Sequence, residues 1–121
     1  MRMTVLKYPT VFFDVDDTLV MWDENLEGST VTIECNGHLN HMVRNEGNIE
    51  ELKRHKSRGV NIIVWSKGGY YWAEKVVHAL KLDDFVDVVM TKPICYYDDL
   101  KNPLGVHRHF KLGEKYGKDR E

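Results

Sequence analysis

The sequence predicts an α/β domain built on a parallel sheet, with a β-hairpin inserted into it. Short buried-strand patterns alternate with helical patterns along most of the chain, and this order is typical of parallel strands joined by right-handed crossovers. One segment, residues 29–43, breaks the alternation and has the pattern of an antiparallel hairpin.

Four short segments have the composition of buried strands. They are four to six residues long and rich in β-branched and aromatic side chains, which favours strands over helices. The segments are TVFFDV at 10–15, VNIIVW at 60–65, FVDVVM at 85–90 and ICYY at 94–97. We therefore expect a parallel sheet of about four or five strands.

Helices are predicted between these strands. Residues 46–59 have apolar side chains at helical spacing, with Asn48 as a candidate N-cap and Gly59 as a stop. Residues 68–82 have the same apolar spacing and lead into the third predicted strand. A last helix is expected at 105–117.

The hairpin prediction depends on Asn36-Gly37, which separates two strand-like arms within residues 29–43. Asn and Gly both accept a positive φ, as the two central positions of a type I′ turn require. The predicted hairpin follows soon after the acidic cluster at 14–17.

Composition and charge narrow the function classes. The 121 residues predict a single domain over 1–121, with 42% hydrophobic and 30% charged residues. The formal charge of −2 does not point to a nucleic-acid partner, although it leaves a local basic patch possible. No run approaches the ~20 apolar residues of a membrane span, and no signal-peptide pattern is visible. Two distant cysteines, Cys35 and Cys95, favour a reducing, cytoplasmic location.

Every predicted parallel strand is followed by polar or charged residues. In open α/β sheets these positions meet at the edge where ligands bind. The residues are Asp14, Asp16, Asp17 and Thr18 after the first strand, Ser66, Lys67 and Gly68 after the second, Lys92 after the third, and Asp98 and Asp99 after the fourth.

These residue types suit phosphoryl transfer. Asp14 and Asp16 on one strand face would be about 7 Å apart, and Asp98 or Asp99 would add negative charge that needs a cation. Oxygen ligands alone select a hard ion such as Mg²⁺. One carboxylate can attack phosphorus while a second transfers protons, and Ser66 with the following helix amides can hold phosphate oxygens.

The same motifs resemble the haloacid dehalogenase (HAD) superfamily. DVDDT at 14–18 matches its D-x-D-x-T signature, and Ser66 after a buried strand is similar to its second motif. Lys92 in TKP resembles the third motif, and YYDD at 96–99 resembles the fourth. The resemblance implies a three-layer, Rossmann-like sheet with helices on both faces, with the hairpin at 29–43 as a flap and no larger cap.

The resemblance also implies roles for the motif residues. It makes Asp14 the nucleophile and a metal ligand, and Asp16 the general acid/base with its carbonyl on Mg²⁺. Thr18 would orient the loop. Ser66 and Lys92 would bind the phosphoryl group. Beside Ser66, Gly68 is a further candidate for phosphate binding, and Lys67 could add phosphate affinity or face solvent. Asp99 or Asp98 would complete the metal shell. The expected activity is Mg²⁺-dependent hydrolysis of a phosphomonoester on a small molecule or a macromolecule end, through an aspartyl phosphate.

Other interpretations stay open on the sequence alone. The acidic residues could be an incidental surface cluster. A phosphate-receiver domain is another alternative, but it needs its acceptor Asp after a middle strand, where this chain has Ser66. A catalytically weak HAD-like module could instead bind a partner through the flap.

Aromatic and histidine residues near the motifs are candidates for substrate contact. Trp22 and the aromatic run at 70–72 could stack a base or sugar, or could pack in the core. His38 and His41 on the hairpin could face substrate or solvent. His107 and His109 have a spacing of two, which does not put them on one helical face, and are interpreted as surface residues.

Overall fold

A computed structural model describes residues 9–99, which form an α/β architecture as predicted. This part of the chain has a three-stranded parallel sheet, a three-stranded antiparallel sheet and two helices. In chain order the elements are β1 (Thr10–Asp14), β2 (Val20–Met21), β3 (Thr30–Cys35), β4 (His38–Arg44), α1 (Glu46–Ser57), β5 (Asn61–Ser66), α2 (Tyr70–Ala79) and β6 (Val88–Thr91).

The parallel sheet has the strand order β1–β5–β6. Strand pairing aligns Asp14 with Trp65, and Trp65 in turn with Met90. The next pair, Ser66 with Thr91, is the last one at this edge of the sheet. The three strands therefore end together, so the residues that follow them share one rim.

Strand β6 begins later than the sequence predicts. The prediction covered residues 85–90, but the strand starts at Val88. Just before it, the Asp87 carboxylate accepts the N–H of Ile62 at 2.7 Å, and the Asp87 N–H donates to the Ile62 carbonyl at 2.9 Å. A side chain thus takes one hydrogen-bonding position that a longer strand would fill with backbone.

Residues 94–97 are not a strand, which corrects the prediction made from their apolar and aromatic composition. Ile94 and Tyr97 are almost completely exposed. A strand needs both a ladder partner and a face to cover, and within residues 9–99 this segment has neither. The described parallel sheet has three strands instead of the expected four or five. The helix predicted at 105–117 lies outside the described residues.

Helix α1 is capped three residues earlier than predicted. The side chain of Asn45, not Asn48, accepts a backbone N–H at the start, and the donor is Asn48 itself at 3.2 Å. Asn48 lies inside the first turn, where its amide donates to the Thr18 carbonyl at 3.0 Å. The stop at Gly59 is confirmed, because this residue has a left-handed φ of 83°.

Helix α2 starts directly after the turn that follows β5. Gly69 precedes it with a φ of 105°, and the N–H of Tyr70 donates to the hydroxyl of Thr91 at 2.9 Å. This bond ties the helix start to the end of β6. The buried residues of α2 are Ala73, Val76 and Val77. No helix in the described part of the chain is long and apolar enough to cross a membrane.

The hairpin forms where the Asn-Gly pair predicts it. Asn36 and Gly37 have φ values of 53° and 83°, the two positive values that a type I′ turn requires. Strand β4 pairs with β3 on one side and with the two-residue β2 on the other, which the sequence did not predict. Ile33 and Met42 of the hairpin are buried, so its base belongs to the core.

Within residues 9–99, one hydrophobic core joins both sheets and both helices. Fifteen buried side chains of this part of the chain form it: Phe13, Val15, Leu19, Val20, Ile33, Met42, Ile49, Leu52, Ile62, Val64, Ala73, Val76, Val77, Leu80 and Leu82. Because the loop after β1 contributes Val15 and Leu19, and Val20 of β2 follows directly, the core holds that loop in place.

Candidate active site

The loop after β1 folds tightly around one carbonyl group. The Val15 carbonyl accepts the backbone N–H groups of positions 18, 19 and 20 at 3.1, 2.9 and 3.3 Å. Asp17 takes a left-handed φ of 62°, which Asp tolerates better than most residues, and its carboxylate accepts the Trp22 N–H at 3.2 Å. Val15 and Leu19 are fully buried, so apolar residues fix the loop while the acids between them stay at the rim.

Asp14 forms an ion pair across the sheet edge. The Nζ atom of Lys92 lies 3.1 Å from Oδ1 of Asp14, and the Thr18 hydroxyl donates to Oδ2 at 3.5 Å. Lys92 is positioned by its own N–H, which donates to the Ser66 carbonyl at 2.9 Å. The side chains of Asp14 and Lys92 are 33% and 28% exposed, so a ligand can reach both.

Asp16 is held by two tryptophans. Its Oδ1 atom accepts the indole N–H of Trp22 at 3.0 Å and that of Trp72 at 3.1 Å. The two rings stack, with centroids 6.1 Å apart and planes 19° from parallel. Two donors on one oxygen fix the orientation of the carboxylate. Because Oδ1 is occupied by these two hydrogen bonds, Oδ2 is the oxygen that could exchange a proton with a ligand.

The turn after β5 is built around the Ser66 hydroxyl. Ser66 is fully buried, and its Oγ atom accepts the N–H of Gly68 at 3.0 Å. A Cβ atom at Gly68 would lie 3.3 Å from both Ser66 Oγ and Trp72 Cδ1, so a larger residue would make these neighbours shift by a few tenths of an ångström. Lys67, between them, is exposed. The structure thus places Ser66 beside the candidate site with its hydroxyl turned toward the backbone.

The predicted acidic doublet does not join the carboxylates of the first loop. Asp98 and Asp99 are exposed in the irregular segment after β6. Within residues 9–99, no three His, Cys, Asp or Glu side chains form a group that could hold a metal ion. The oxygen chemistry of Asp14 and Asp16 suits Mg²⁺, but the described residues do not complete a site for it.

A cleft of about 380 Å³ opens beside Asp16, between the hairpin turn and the start of α2. One wall has both tryptophans and the Gly68 backbone, and the other consists of hairpin residues. Those hairpin residues are Cys35, Asn36, His38 and Asn40. His38 therefore faces the cleft. His41 faces a second, smaller cleft and lies 3.0 Å from the Thr32 hydroxyl.

Sequence reasoning identified the aromatic residues but not their main contact. Trp22 and Trp72 were candidates for stacking or packing, and the structure adds that both donate to Asp16. Each tryptophan follows a polar strand end by a few residues, and this pattern could have suggested that both indoles donate to Asp16. The aromatic neighbours Tyr70 and Tyr71 do not line the cleft.

Comparison with known proteins adds no relative: the chain matches no protein-family model, no curated protein and no solved structure. The resemblance to the HAD superfamily therefore rests on the sequence motifs alone.

Proposed function

We propose that this protein is a phosphomonoester hydrolase of the HAD type, with Asp14 as the nucleophile. The observation that carries the proposal is the ion pair between Asp14 and Lys92, 3.1 Å apart at the shared carboxyl edge of β1 and β6. A carboxylate that attacks phosphorus needs a nearby cation to offset the charge of the phosphoryl oxygens, and Lys92 is placed for this role.

The chemistry follows from two carboxylates two residues apart. An oxygen of Asp14 attacks phosphorus, the bond to the ester oxygen breaks, and Asp16 gives its proton to that oxygen, so the leaving group departs as an alcohol. Water then attacks phosphorus and gives a proton to Asp16. The bond between phosphorus and Asp14 breaks, which releases phosphate and restores both side chains.

The resemblance also implies Mg²⁺, held by Asp14, Asp16 and the pair Asp98 and Asp99. When bound, Mg²⁺ would neutralise charge on the phosphoryl oxygens. Because the described residues do not assemble these ligands, the metal requirement depends on the resemblance alone. The proposal extends to the three-layer arrangement with helices on both faces, and to a cytoplasmic location, which the two free thiols Cys35 and Cys95 suit.

The decisive experiment is turnover of a generic aryl phosphate by the purified chain, with Mg²⁺ and then with excess chelator. We expect Asp14→Asn to lower kcat/KM by on the order of 10⁴-fold or more, since it removes the nucleophile. Asp84→Asn makes the same chemical change at an exposed site and is expected to leave the rate unchanged. Activity that survives in Asp14→Asn would overturn the nucleophile assignment, and activity that survives the chelator would overturn the metal requirement.

One observation favours the alternative of a binding module that engages a partner through the hairpin. Leu39, just past the hairpin turn, is 63% exposed, although large apolar side chains usually favour burial. A folded protein that binds Mg²⁺ but turns over no phosphate ester would support this function over hydrolysis.

A further inference from the structure

We propose that the cleft beside Asp16 is the leaving-group subsite and that it takes a nucleobase, so that the substrate is a nucleoside monophosphate. The inference deepens the proposed function and rests on it, because it assigns the group that leaves when the phosphoryl bond breaks. The cleft volume of about 380 Å³ lies within the range of small-ligand sites, roughly 300–1,000 Å³.

The first wall is a rigid aromatic platform. Trp22 remains 46% exposed although its indole N–H is bonded to Asp16 and its ring stacks on Trp72. Both rings are held at their N–H edges by the same carboxylate oxygen, so neither needs to reorient when a ligand arrives. An indole platform fixed in this way stacks well on a planar ring, and every nucleobase offers such a face.

The second wall supplies hydrogen-bonding groups that suit the edge of a base. Asn36, His38 and Asn40 from the hairpin face the cleft. The Asn40 amide nitrogen donates to the Ile33 carbonyl at 3.1 Å, which orients the side chain and leaves its oxygen as the acceptor for a ligand amine. An aromatic wall opposite a set of amide and imidazole groups matches a base better than a plain sugar or an alkyl chain.

Asp16 connects this subsite to the reaction. Its Oδ1 atom anchors the platform, so the carboxylate that would protonate the leaving oxygen lies where the aromatic wall begins. A base stacked on the indoles would therefore keep the ester oxygen of the same molecule next to the acid. Trp22 and Trp72 become both binding residues and positioning residues for Asp16.

The first test measures binding without catalysis. Calorimetric titration with adenosine, guanosine, cytidine and uridine, with ribose as the control that lacks a base, reports the base subsite alone. We expect nucleosides to bind and ribose not to bind, and Trp22→Leu to weaken binding at least about tenfold. Tyr71→Leu is the matched control, because Tyr71 is 45% exposed on α2 but lies outside the cleft, and it should bind as the unchanged protein does.

Two further variants keep this test informative if Trp22→Leu folds poorly. His38→Ala changes an exposed hairpin residue, and we expect it to weaken nucleoside binding about threefold to tenfold, the loss of one neutral hydrogen bond. Trp22→Phe keeps an aromatic ring but removes the N–H that donates to Asp16. It should therefore keep most of the nucleoside affinity and lower turnover, because Asp16 is no longer held in position. Equal nucleoside affinity in all variants would overturn the assignment of the cleft.

The second test compares kcat/KM for nucleoside monophosphates, glycerol phosphate, ribose 5-phosphate and an oligonucleotide with a terminal phosphate. We expect at least a tenfold preference for esters with a base, and a preference for the oligonucleotide would place the base at a nucleic-acid end. Turnover that is equal for esters with and without a base, together with no nucleoside binding, would overturn the base subsite but not the hydrolase activity. Nucleoside binding that depends on Trp22, with no turnover of any ester, would overturn the hydrolase and leave the subsite standing.

Discussion

The loop after β1 and the segment after β6 are both acidic and both follow a parallel strand, but within residues 9–99 only the first has buried apolar side chains beside its acids. In the first loop, Val15 and Leu19 are fully buried on either side of Asp16 and Asp17. In the second segment, the apolar side chains beside the acidic doublet are largely exposed, Tyr97 at 98%. The comparison teaches that buried apolar neighbours, not the acids themselves, turn a strand end into an ordered site.

The largest expected difference between the two segments is in stability. Leu19→Ala should lower the free energy of unfolding by about 2–5 kcal/mol, since it leaves a cavity in the core. Tyr97→Ala should change it by no more than about 0.5 kcal/mol, because the ring is exposed. Urea denaturation of both variants measures the contrast. Similar losses in the two would mean that the second segment also packs against the core.

A smaller effect is expected at the amino end of β6, where the side chain of Asp87 makes the contacts. The Asp87 carboxylate accepts Lys56 Nζ at 2.8 Å as well as the Ile62 N–H at 2.7 Å. Burial alone would raise the pKa of Asp87, but these two bonds outweigh it and lower the pKa below its usual value. Asp87→Asn should therefore cost about 1–3 kcal/mol at neutral pH.

The pH dependence of that cost follows from the lowered pKa of Asp87. The stabilisation is present above the ordinary pKa of an aspartate, about 4, and is lost as the pH falls through the lowered value in the folded state. Urea denaturation between pH 7 and pH 3 should show the difference between the unchanged protein and Asp87→Asn shrinking below about pH 4. Asp84→Asn, at an exposed acid, is the control, and a gap that stays constant with pH would contradict the assignment.

The smallest effects concern the contacts between α1 and the first loop. Asn45→Ala removes the helix cap and should cost about 1 kcal/mol. Asn48→Ala removes a bond to the Thr18 carbonyl, but alanine favours the helix, so we expect about half that loss. Thermal or urea denaturation ranks the two. A larger loss for Asn48→Ala would contradict the assignment of Asn45 as the N-cap and favour Asn48, the residue that the sequence predicts.

Local patterns predicted the parts of the fold that local chemistry determines. The positive φ values of Asn36 and Gly37 follow from the two residue types, because Asn tolerates such values and Gly has no Cβ atom. Strands β1 and β5 follow from their apolar runs. Strand β2 has only two residues, too few for a periodic pattern. The strand predicted at 94–97 was wrong because apolar composition does not say whether a partner strand exists.

The candidate site was predictable in its residues but not in its contacts. Register alone brings Asp14, Ser66 and Lys92 to one edge, because parallel strands end together. The bond from Trp72 to Asp16 joins residues 56 positions apart and depends on how α2 packs, which no local pattern encodes. Strand alternation puts His38 and His41 on opposite faces of β4, but it does not say that the face of His38 is the one toward the cleft.

The buried base of the hairpin has a consequence for how a ligand would enter. Swinging the hairpin away as a hinged lid would expose Ile33 and Met42, at about 1.5–3 kcal/mol for each side chain. Such an opened state would be rare, so the hairpin acts as a fixed wall with an entrance of constant width. Small ligands would bind and dissociate at rates set by diffusion and by the strength of their contacts, without a gating motion of the hairpin.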